Sequence, residues 1–152
     1  MKIHEYLDQH GVAYTTHQHP PAYTAQEVAA EEHVSGNILA KPVLVRADND
    51  YVMCVLSASY KLDMGKVAEV AKVHKVRLAD ENELAKVFPD VEVGAEPPFG
   101  SLYNLTTLVD EHLAEDEEIV FRAGTHRDTI RMKYADYASL VRPIVADLAV
   151  HI

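Results

Sequence analysis

Two glycines and two prolines fall within the eight residues Val93-Gly94-Ala95-Glu96-Pro97-Pro98-Phe99-Gly100. Proline fixes φ and supplies no N–H, whereas glycine permits positive φ and close backbone approach, so this segment is predicted to be a rigid loop that presents few amides. Such a loop suits a site that holds a ligand with its backbone. The alternative is a tight connection between two strands, because Gly and Pro are the usual turn residues.

A lysine lies in the middle of the strand-like segment from 38 to 45. A period of two places Lys41 on the same face as Leu39 and Val43, so an ammonium group stands among aliphatic side chains. Such an inward charge can discourage edge pairing, and the missing donor of Pro42 is consistent with an edge strand. A lysine at the rim of an apolar pocket can equally bind a ligand anion. Both interpretations stay open at this point.

Three other reactive groups have simpler explanations. His17 and His19 share one face of a strand and could begin a metal site, but the sequence has no cysteine pair, no HExxH motif and no clear third ligand. Cys54 lies in an apolar strand, where a buried and inert thiol is expected. His126, in a turn that begins at Gly124, either orients a substrate or is a solvated imidazole. We therefore predict no metal ion and no cofactor.

The charge of the chain is unevenly distributed. The formal net charge of -10 argues against a general nucleic-acid coat, because phosphate binding depends on Lys and Arg. Two stretches are nevertheless basic: residues 61 to 77 hold five Lys or Arg against two acids, and residues 122 to 133 hold four against one. They are either two solvated faces or contacts for a polyanion.

Length and composition predict an ordinary globular protein. A chain of 152 residues with 48% hydrophobic and 25% charged residues fits one domain with one core. No apolar run is long enough to span a bilayer. The N-terminus shows no signal-peptide core and there is one cysteine, so we expect a cytoplasmic protein without disulfides.

The elements that must position these groups are short and of both kinds. Helices are predicted from Ile3 to a stop at Gly11, from the capping box Thr24-Ala25-Gln26-Glu27 to about Ser35-Gly36, after Asp63, from Asp80 to Pro89, and from Tyr134 to Leu148 with an interruption at Pro143. Strands are predicted at 12–17, 38–45, 51–56, 76–78, 105–109, 119–121 and 129–133, with an acidic connection from 110 to 118. This order predicts an α+β fold with a mixed, curved sheet flanked by helices.

Four segments in this order resemble the YbaK-like family, which includes the editing domain inserted in some bacterial prolyl-tRNA synthetases and its free-standing relatives. The segments are Tyr23-Thr24-Ala25-Gln26-Glu27-Val28-Ala29, Ala40-Lys41-Pro42-Val43-Leu44-Val45, the loop from Val93 to Gly100, and Gly124-Thr125-His126 before Ile130-Arg131-Met132. The resemblance covers roughly residues 10 to 142. It implies a trans-editing aminoacyl-tRNA deacylase, which hydrolyses the ester that joins a wrong amino acid to tRNA, most often tRNA for proline.

The resemblance also implies roles for individual residues. Lys41 is expected near the phosphate or ribose of the tRNA 3′ end, and Gly94 and Pro98 match the ends of a Gly-x-x-x-Pro loop whose amides face the substrate carbonyl. Substrate-binding roles are implied for His19, Tyr23, Thr24, Ala95, Pro98, Gly100, Gly124 and His126. Glu96 and Pro97 depart from the small or hydroxyl residues of many relatives, and His19 stands where some relatives carry a tyrosine.

The hydrolysis that this resemblance implies requires neither a metal ion nor a covalent nucleophile from the protein. An aminoacyl ester is already activated, so positioning the ester and a water and stabilising the oxyanion can suffice, with possible help from the ribose 2′-hydroxyl. Small amino acids are the expected targets, and a synthetase is a candidate partner. Two alternatives remain: a non-catalytic module that binds aminoacyl-tRNA or an aminoacyl ligand, and an esterase for a small molecule.

Overall fold

The computed structural model describes residues 2–20, 30 and 36–151. Over this part of the chain the helices are α1 Ile3–Gln9, α2 Met64–Ala71, α3 Glu81–Val87, α4 Glu111–Ala114 and α5 Tyr134–Val141, with a 3₁₀ turn at Gly100–Tyr103. The strands are β1 Tyr14–Gln18, β2 Ala40–Ala47, β3 Asp50–Ser57, β4 Tyr60–Leu62, β5 Val76–Leu78, β6 Thr106–Asp110, β7 Glu118–Arg122, β8 Asp128–Lys133, β9 Ile144–Ala146 and β10 Ala149–His151. None of these helices has the length and apolar character required to cross a membrane.

The strands form a mixed five-stranded sheet in the order β5-β2-β3-β6-β9 and an antiparallel three-stranded sheet in the order β1-β8-β7. In the larger sheet β2 is antiparallel to β3 and β5, whereas β6 is parallel to β3 and β9. Strands β4 and β10 make a separate antiparallel pair. A single parallel bridge between Leu39 and Val120 connects the start of β2 to β7, and through it the two sheets meet.

The two faces of the larger sheet bury different clusters. On one face Met53 and Val55 of β3 pack with Ile130 of β8, Phe99 and Tyr137 in the main core. The other face belongs to a second cluster, which consists of Val45, Val52, Cys54, Val67, Leu108, Leu148 and Ala47. Because side chains alternate along a strand, the face to which a residue of β2 or β3 belongs decides which cluster it joins.

Helix boundaries follow local sequence signals. Asp63 caps α2 by accepting from the amide of Lys66, and Asp80 forms a capping box with Glu83 at α3. Helix α1 is amphipathic, and its apolar residues Ile3 and Leu7 are buried in the core. These observations confirm the predicted helix starts at residues 3, 64 and 81.

The structure confirms the predicted mixture of helices and strands and corrects its details. The helix predicted from Tyr134 to Leu148 is wrong in its second half, because Arg142 adopts a left-handed conformation with φ 52° before Pro143. The chain then forms β9 and β10. The predicted acidic connection contains α4, which Asp110 caps, and the short strand β4 was not predicted. The predicted helix that starts at Thr24 lies outside the described residues.

Candidate active site

The loop from 93 to 100 is held against the turn after β7 by backbone hydrogen bonds. The amide of Glu92 donates to the carbonyl of Gly124 at 2.9 Å, and the amide of Gly124 donates to the carbonyl of Ala95 at 2.9 Å. Within the loop, the amide of Ala95 donates to the carbonyl of Glu92 at 2.9 Å. Three bonds within such a short stretch fix the loop in one position. The loop is therefore a rigid part of the fold, as its composition predicted.

Side chains fasten the same loop from both ends. Arg122 Nη1 donates to the carbonyl of Gly94 at 2.9 Å, and His126 Nε2 lies 2.9 Å from the carbonyl of Val93, which fits an Nε2–H donor. The backbone amide of His126 donates to Glu92 Oε1 at 2.7 Å. The buried hydroxyl of Tyr137 donates to the carbonyl of Pro98 at 2.6 Å. The carbonyls of the loop thus point at fixed protein donors.

The glycines of the site have different functions. Gly94 and Gly124 adopt φ of +85° and +96°, a region that L side chains rarely occupy. A Cβ at Gly94 would lie 3.7 Å from His126 Cε1, which is an ordinary contact. A Cβ at Gly100 would lie 2.3 Å from Thr107 Oγ1 and 3.1 Å from the carbonyl oxygen of Leu105, so this buried glycine permits close packing of the 3₁₀ turn on β6.

Glu96 is the unusual member of the loop, because its side chain is buried and the residue is only 4% exposed. Burial raises its pKa, while the amides of Glu96 and Gly94 and the charge of Arg122 oppose the rise. Its Oε2 has no hydrogen-bond partner in the part of the chain that the structure describes. The Glu96 carboxyl group therefore interacts with backbone amides of its own loop.

The Leu39–Val120 bridge positions Lys41 relative to this loop. Both bridge residues belong to one small buried cluster, so their side chains share a face. Lys41 and Arg122 each follow two residues later along parallel strands, and the period of two places them on that same face. Since Arg122 also holds Gly94, the bridge connects the strand that carries Lys41 to the strand that holds the loop.

The Lys41 ammonium group is half-buried, and burial lowers the pKa of Lys41. Within residues 2–20, 30 and 36–151 it makes no hydrogen bond or ion pair. A desolvated lysine of this kind is stabilised by an anion, which favours the ligand-binding explanation over the edge-protecting one. Pro42 lies between the residues of β2 that pair with β5 and the bridge at Leu39. Because proline has no N–H, this part of the strand has one backbone donor fewer, which is also consistent with the edge-protecting explanation.

A cavity of about 230 Å³ adjoins the loop on the side of α1. Pro97, Tyr103 and Gly124 line it together with residues of α1, and Lys41 does not. The hydroxyl of Tyr103 donates to Asp90 at 3.0 Å, and burial raises its pKa. The cavity therefore adjoins the loop without including Lys41.

The structure brings some predicted site residues together and separates others. Gly94, Ala95, Pro98, Gly124 and His126 meet in the loop and its turn. His19 lies beside that turn, because its amide donates to the carbonyl of Arg127 at 3.0 Å, and its Nδ1 lies 2.8 Å from the carbonyl of Pro20. Gly100 is next to the loop but packs against Thr107. Tyr23 and Thr24 lie outside the described residues.

Sequence reasoning missed Arg122 and Glu92. The sequence marks Arg122 only as part of a basic stretch, and Glu92 as an ordinary acid before the loop. A usable signal existed for Arg122, since a strand that ends in arginine two residues before a glycine turn places its guanidinium at the mouth of that turn. Glu92 gave no such signal.

The possible metal ligands and the Cys54 thiol show no arrangement that suggests a reaction. No group of three or more His, Cys, Asp or Glu side chains is placed to hold a metal ion in the portion of the chain described above. Cys54 is buried, and burial raises the pKa of its thiol to about 12, which confirms the expected inert cysteine. What the site offers is a rigid backbone loop, a guanidinium, a desolvated lysine and a buried carboxylate. Such a set suits the binding of a carbonyl or an anion and stabilisation of an oxyanion.

Known proteins are similar to this chain in sequence and in fold. A model of the aminoacyl-tRNA editing domain family matches residues 19–140. The prolyl-tRNA editing protein ProX of Acetoanaerobium sticklandii is 23% identical over 142 residues, which cover 90% of this chain and 86% of that protein.

Two solved structures extend the likeness to the whole fold. The crystal structure of hypothetical protein APE2540 has a TM-score of 0.89 at 22% identity and covers 99% of this chain and 100% of that one. A protein described as a trans-editing enzyme for prolyl-tRNA synthetase has a TM-score of 0.84 at 22% identity, with coverage of 97% and 94%. The fold and site define a protein of the editing-domain class. The chain belongs to the aminoacyl-tRNA editing domain family.

Proposed function

We propose that this protein is a trans-editing aminoacyl-tRNA deacylase, which hydrolyses the ester between a small non-cognate amino acid and tRNA for proline. Lys41 holds the phosphate or ribose of the tRNA 3′ end, and the loop from Gly94 to Gly100 holds the acyl carbonyl. Membership of the editing-domain family supports the reaction class. The names of the two relatives that act with prolyl-tRNA or its synthetase support tRNA for proline as the substrate and that synthetase as a partner.

The observation that carries the proposal is the placement of a clamped backbone loop beside a desolvated lysine. Arg122 holds Gly94 at 2.9 Å, and the Leu39–Val120 bridge joins its strand to the strand of Lys41, which supports assigning the loop and the lysine to one site. An aminoacyl ester needs orientation and oxyanion stabilisation more than it needs a metal or a covalent nucleophile. In this proposal Lys41 is the cation for the RNA end and the loop holds the ester.

The acidic body of the protein limits how the RNA is captured. With a formal net charge of -10, only local groups such as Lys41 and the basic stretches 61–77 and 122–133 can attract phosphate. We therefore expect modest affinity for tRNA that weakens as salt rises, and help from the synthetase in delivering the substrate. We also expect the protein to act in the cytoplasm.

The test compares hydrolysis of Ala-, Ser- and Cys-charged tRNA for proline by the wild type and by Lys41→Ala at one low salt concentration. We expect turnover of at least one substrate by the wild type and a loss of about 10²-fold or more in kcat/KM in the variant, as is usual when a positioning contact is removed. Lys86→Ala, an exposed lysine of α3, is the matched control and retains full activity.

The other outcomes discriminate between explanations. Equal decay of all three esters with and without protein would contradict the deacylase proposal, and tight binding without turnover would favour a binding module. Turnover that Lys41→Ala leaves unchanged would keep the reaction and remove Lys41 from the site. Activity on small esters that is insensitive to salt would favour an esterase that does not use RNA.

A further inference from the structure

A second recess lies beyond the C-terminal ends of the parallel strands β3 and β6, and no residue of the loop lines it. Its volume is about 200 Å³, which is room for one ring system rather than for a large ligand. Its lining consists of Asn37, Ser57, Tyr60, His112, Glu115 and Asp116. None of these residues was singled out by the sequence, and none belongs to the loop.

Two stacked rings form one wall of this recess. The rings of Tyr60 and His112 lie 4.4 Å apart with an interplanar angle of 23°, and His151 meets Tyr60 edge-on at 5.0 Å. Asp110 is fully buried and accepts from His112 Nδ1 at 2.8 Å and from the amide of Leu148 at 2.9 Å. The histidine ring is therefore held in one orientation by a carboxylate that the fold itself fixes.

Carboxylates form the opposite wall. Glu115 and Asp116 line the recess, and Asp116 Oδ2 is buried without a hydrogen-bond partner among the described residues. Burial, with the nearby Glu115, raises the pKa of Asp116. A buried acceptor without a donor has a desolvation cost that a ligand N–H group would relieve. The recess thus combines a flat aromatic surface with an edge of acceptors.

Strand register places Asp110, which accepts from His112 Nδ1, in one row with Lys41. Lys41 pairs with Leu56 on β3, and the parallel register of β3 and β6 brings Asp110 to the level of Leu56. Two residues along β2 from Lys41, Val43 pairs with Cys54 and both pack in the second cluster. Because side chains alternate along a strand, Lys41, Leu56 and Asp110 face the same side of the sheet as that cluster. Two strand spacings separate Lys41 from Asp110, or about 10 Å, which is the rise of about three stacked nucleotides.

We propose that the Tyr60–His112 recess binds an unpaired nucleobase of the tRNA 3′ strand, with the base stacked on the outer face of this ring pair and its exocyclic amino group donating to Glu115 and Asp116. Cytosine and adenine carry such an amino group and uracil does not. Carboxylates accept from the amino group of cytosine, and bases of any kind stack on aromatic rings. This inference rests on the proposed function, because it assumes that the RNA end is held at Lys41.

The probe is an RNA hairpin with a single-stranded CCA 3′ end, compared with the same hairpin ending in UUU, in fluorescence anisotropy at low salt. We expect the wild type to bind the CCA end about 5-fold to 10²-fold more tightly, which is the fold-change for one good carboxylate-to-base contact. Asp116→Asn replaces one carboxylate oxygen with an NH2 donor, which cannot accept from the amino group of the base. This variant should therefore lose most of the preference for the CCA end. Equal affinity of the wild type for both ends would overturn the proposal, as would no measurable binding of either.

Ring substitutions test the stacking surface. Tyr60→Ala should weaken binding of the CCA end about 5-fold to 10²-fold, whereas Tyr60→Phe keeps the ring and the affinity. His112→Ala should weaken it as well. The matched control is His10→Ala, because His10 makes a second tyrosine–histidine ring pair with Tyr6 on the exposed part of α1, with centroids also 4.4 Å apart. Circular dichroism melting confirms that each variant is folded.

Steady-state kinetics separates this proposal from the proposed function. If the recess binds a base, Tyr60→Ala should raise KM and leave kcat unchanged. A fall in kcat alone would overturn the proposal and would instead indicate that Tyr60 supports His112 in the chemical step. Deacylation by the wild type without a preference for the CCA end would contradict only the base site. A preference for the CCA end without deacylation would support the base site and contradict the deacylase.

Discussion

The loop side and the Lys41 side of the site use different chemical groups. The loop side uses backbone: its carbonyls at 93, 94, 95 and 98 accept from His126, Arg122, Gly124 and Tyr137, so its geometry is set before any ligand binds. The Lys41 side uses a single charge on a strand where two sheets diverge. A rigid backbone can stabilise a transition state, whereas a flexible ammonium group mainly captures a charged substrate. Damage to the loop should therefore appear in kcat, and damage to the Lys41 side in KM.

The largest effect is expected for Gly94→Ala. The substitution adds a Cβ at φ +85°, where the strain is about 1 to 2 kcal/mol, and the loop amides turn to relieve it. Loss of one preorganised oxyanion donor costs about 10² to 10³ in rate, so we expect kcat on the preferred aminoacyl-tRNA to fall by that factor with little change in KM. The measurement is single-turnover deacylation beside thermal melting.

Gly11→Ala is the matched control for this prediction. Gly11 also has a positive φ, +65°, and a Cβ there would meet nothing within 4 Å. The two variants carry similar backbone strain, but only one carries it in the loop. If both lose activity equally, strain alone is the cause and the loop has no special role.

A smaller effect is expected for Arg122→Gln, which removes the guanidinium bond to the carbonyl of Gly94. The backbone bonds between the loop and the turn remain, so the loop shifts without detaching, and a shift of about 1 Å can cost up to about 10²-fold in rate. We expect kcat to fall about 10-fold to 10²-fold. The control is Arg142→Gln, which changes an exposed arginine outside the two basic stretches. A change in KM alone would instead make Arg122 a contact for RNA.

Much of the fold was predictable because its signals are local. The apolar segments 38–45 and 51–56 predicted the strands β2 and β3, and the side-chain caps at Asp63 and Asp80 predicted two helix starts that the structure confirms. The chain after Val141 was not predictable in the same way. Its residues suit a helix, but a proline and a left-handed Arg142 end α5, and pairing with β6 and β4 makes strands of the rest.

The site divides along the same line. Gly94 and Lys41 were proposed from the sequence because unusual residues mark them: a glycine in a proline-rich loop and a charge in an apolar strand. Arg122 and the Tyr60–His112 pair were not found, because ordinary residues acquire their neighbours there only through long-range strand pairing. The resemblance to the editing family is confirmed, and the roles of the individual site residues stay predictions.

The smallest effect expected concerns Glu96, where the two sides of the site meet. Burial raises its pKa above the ordinary 4.5, so the folded protein keeps this proton to higher pH than the unfolded chain does. The stability that depends on the neutral carboxyl is fully present below pH 4.5 and is lost as the pH rises through the raised pKa. Each pH unit of the rise corresponds to about 1.4 kcal/mol.

Glu96→Gln keeps the shape of the side chain and removes its titration. In urea unfolding between pH 4 and pH 8, the variant should gain stability over the wild type as the pH rises and then keep a constant advantage, while exposed Glu117→Gln shows none. An advantage that does not change with pH would contradict a raised pKa.

The same variant also tests whether the loop chemistry needs this carboxylate. Because the Glu96 carboxylate faces the amides of Gly94 and Glu96, Glu96→Gln should free those donors of a competing charge, and the turnover rate should not fall. A loss approaching that of a missing oxyanion donor, about 10²-fold, would mean that the loop requires the carboxylate. The rigid backbone alone would then no longer explain the chemistry.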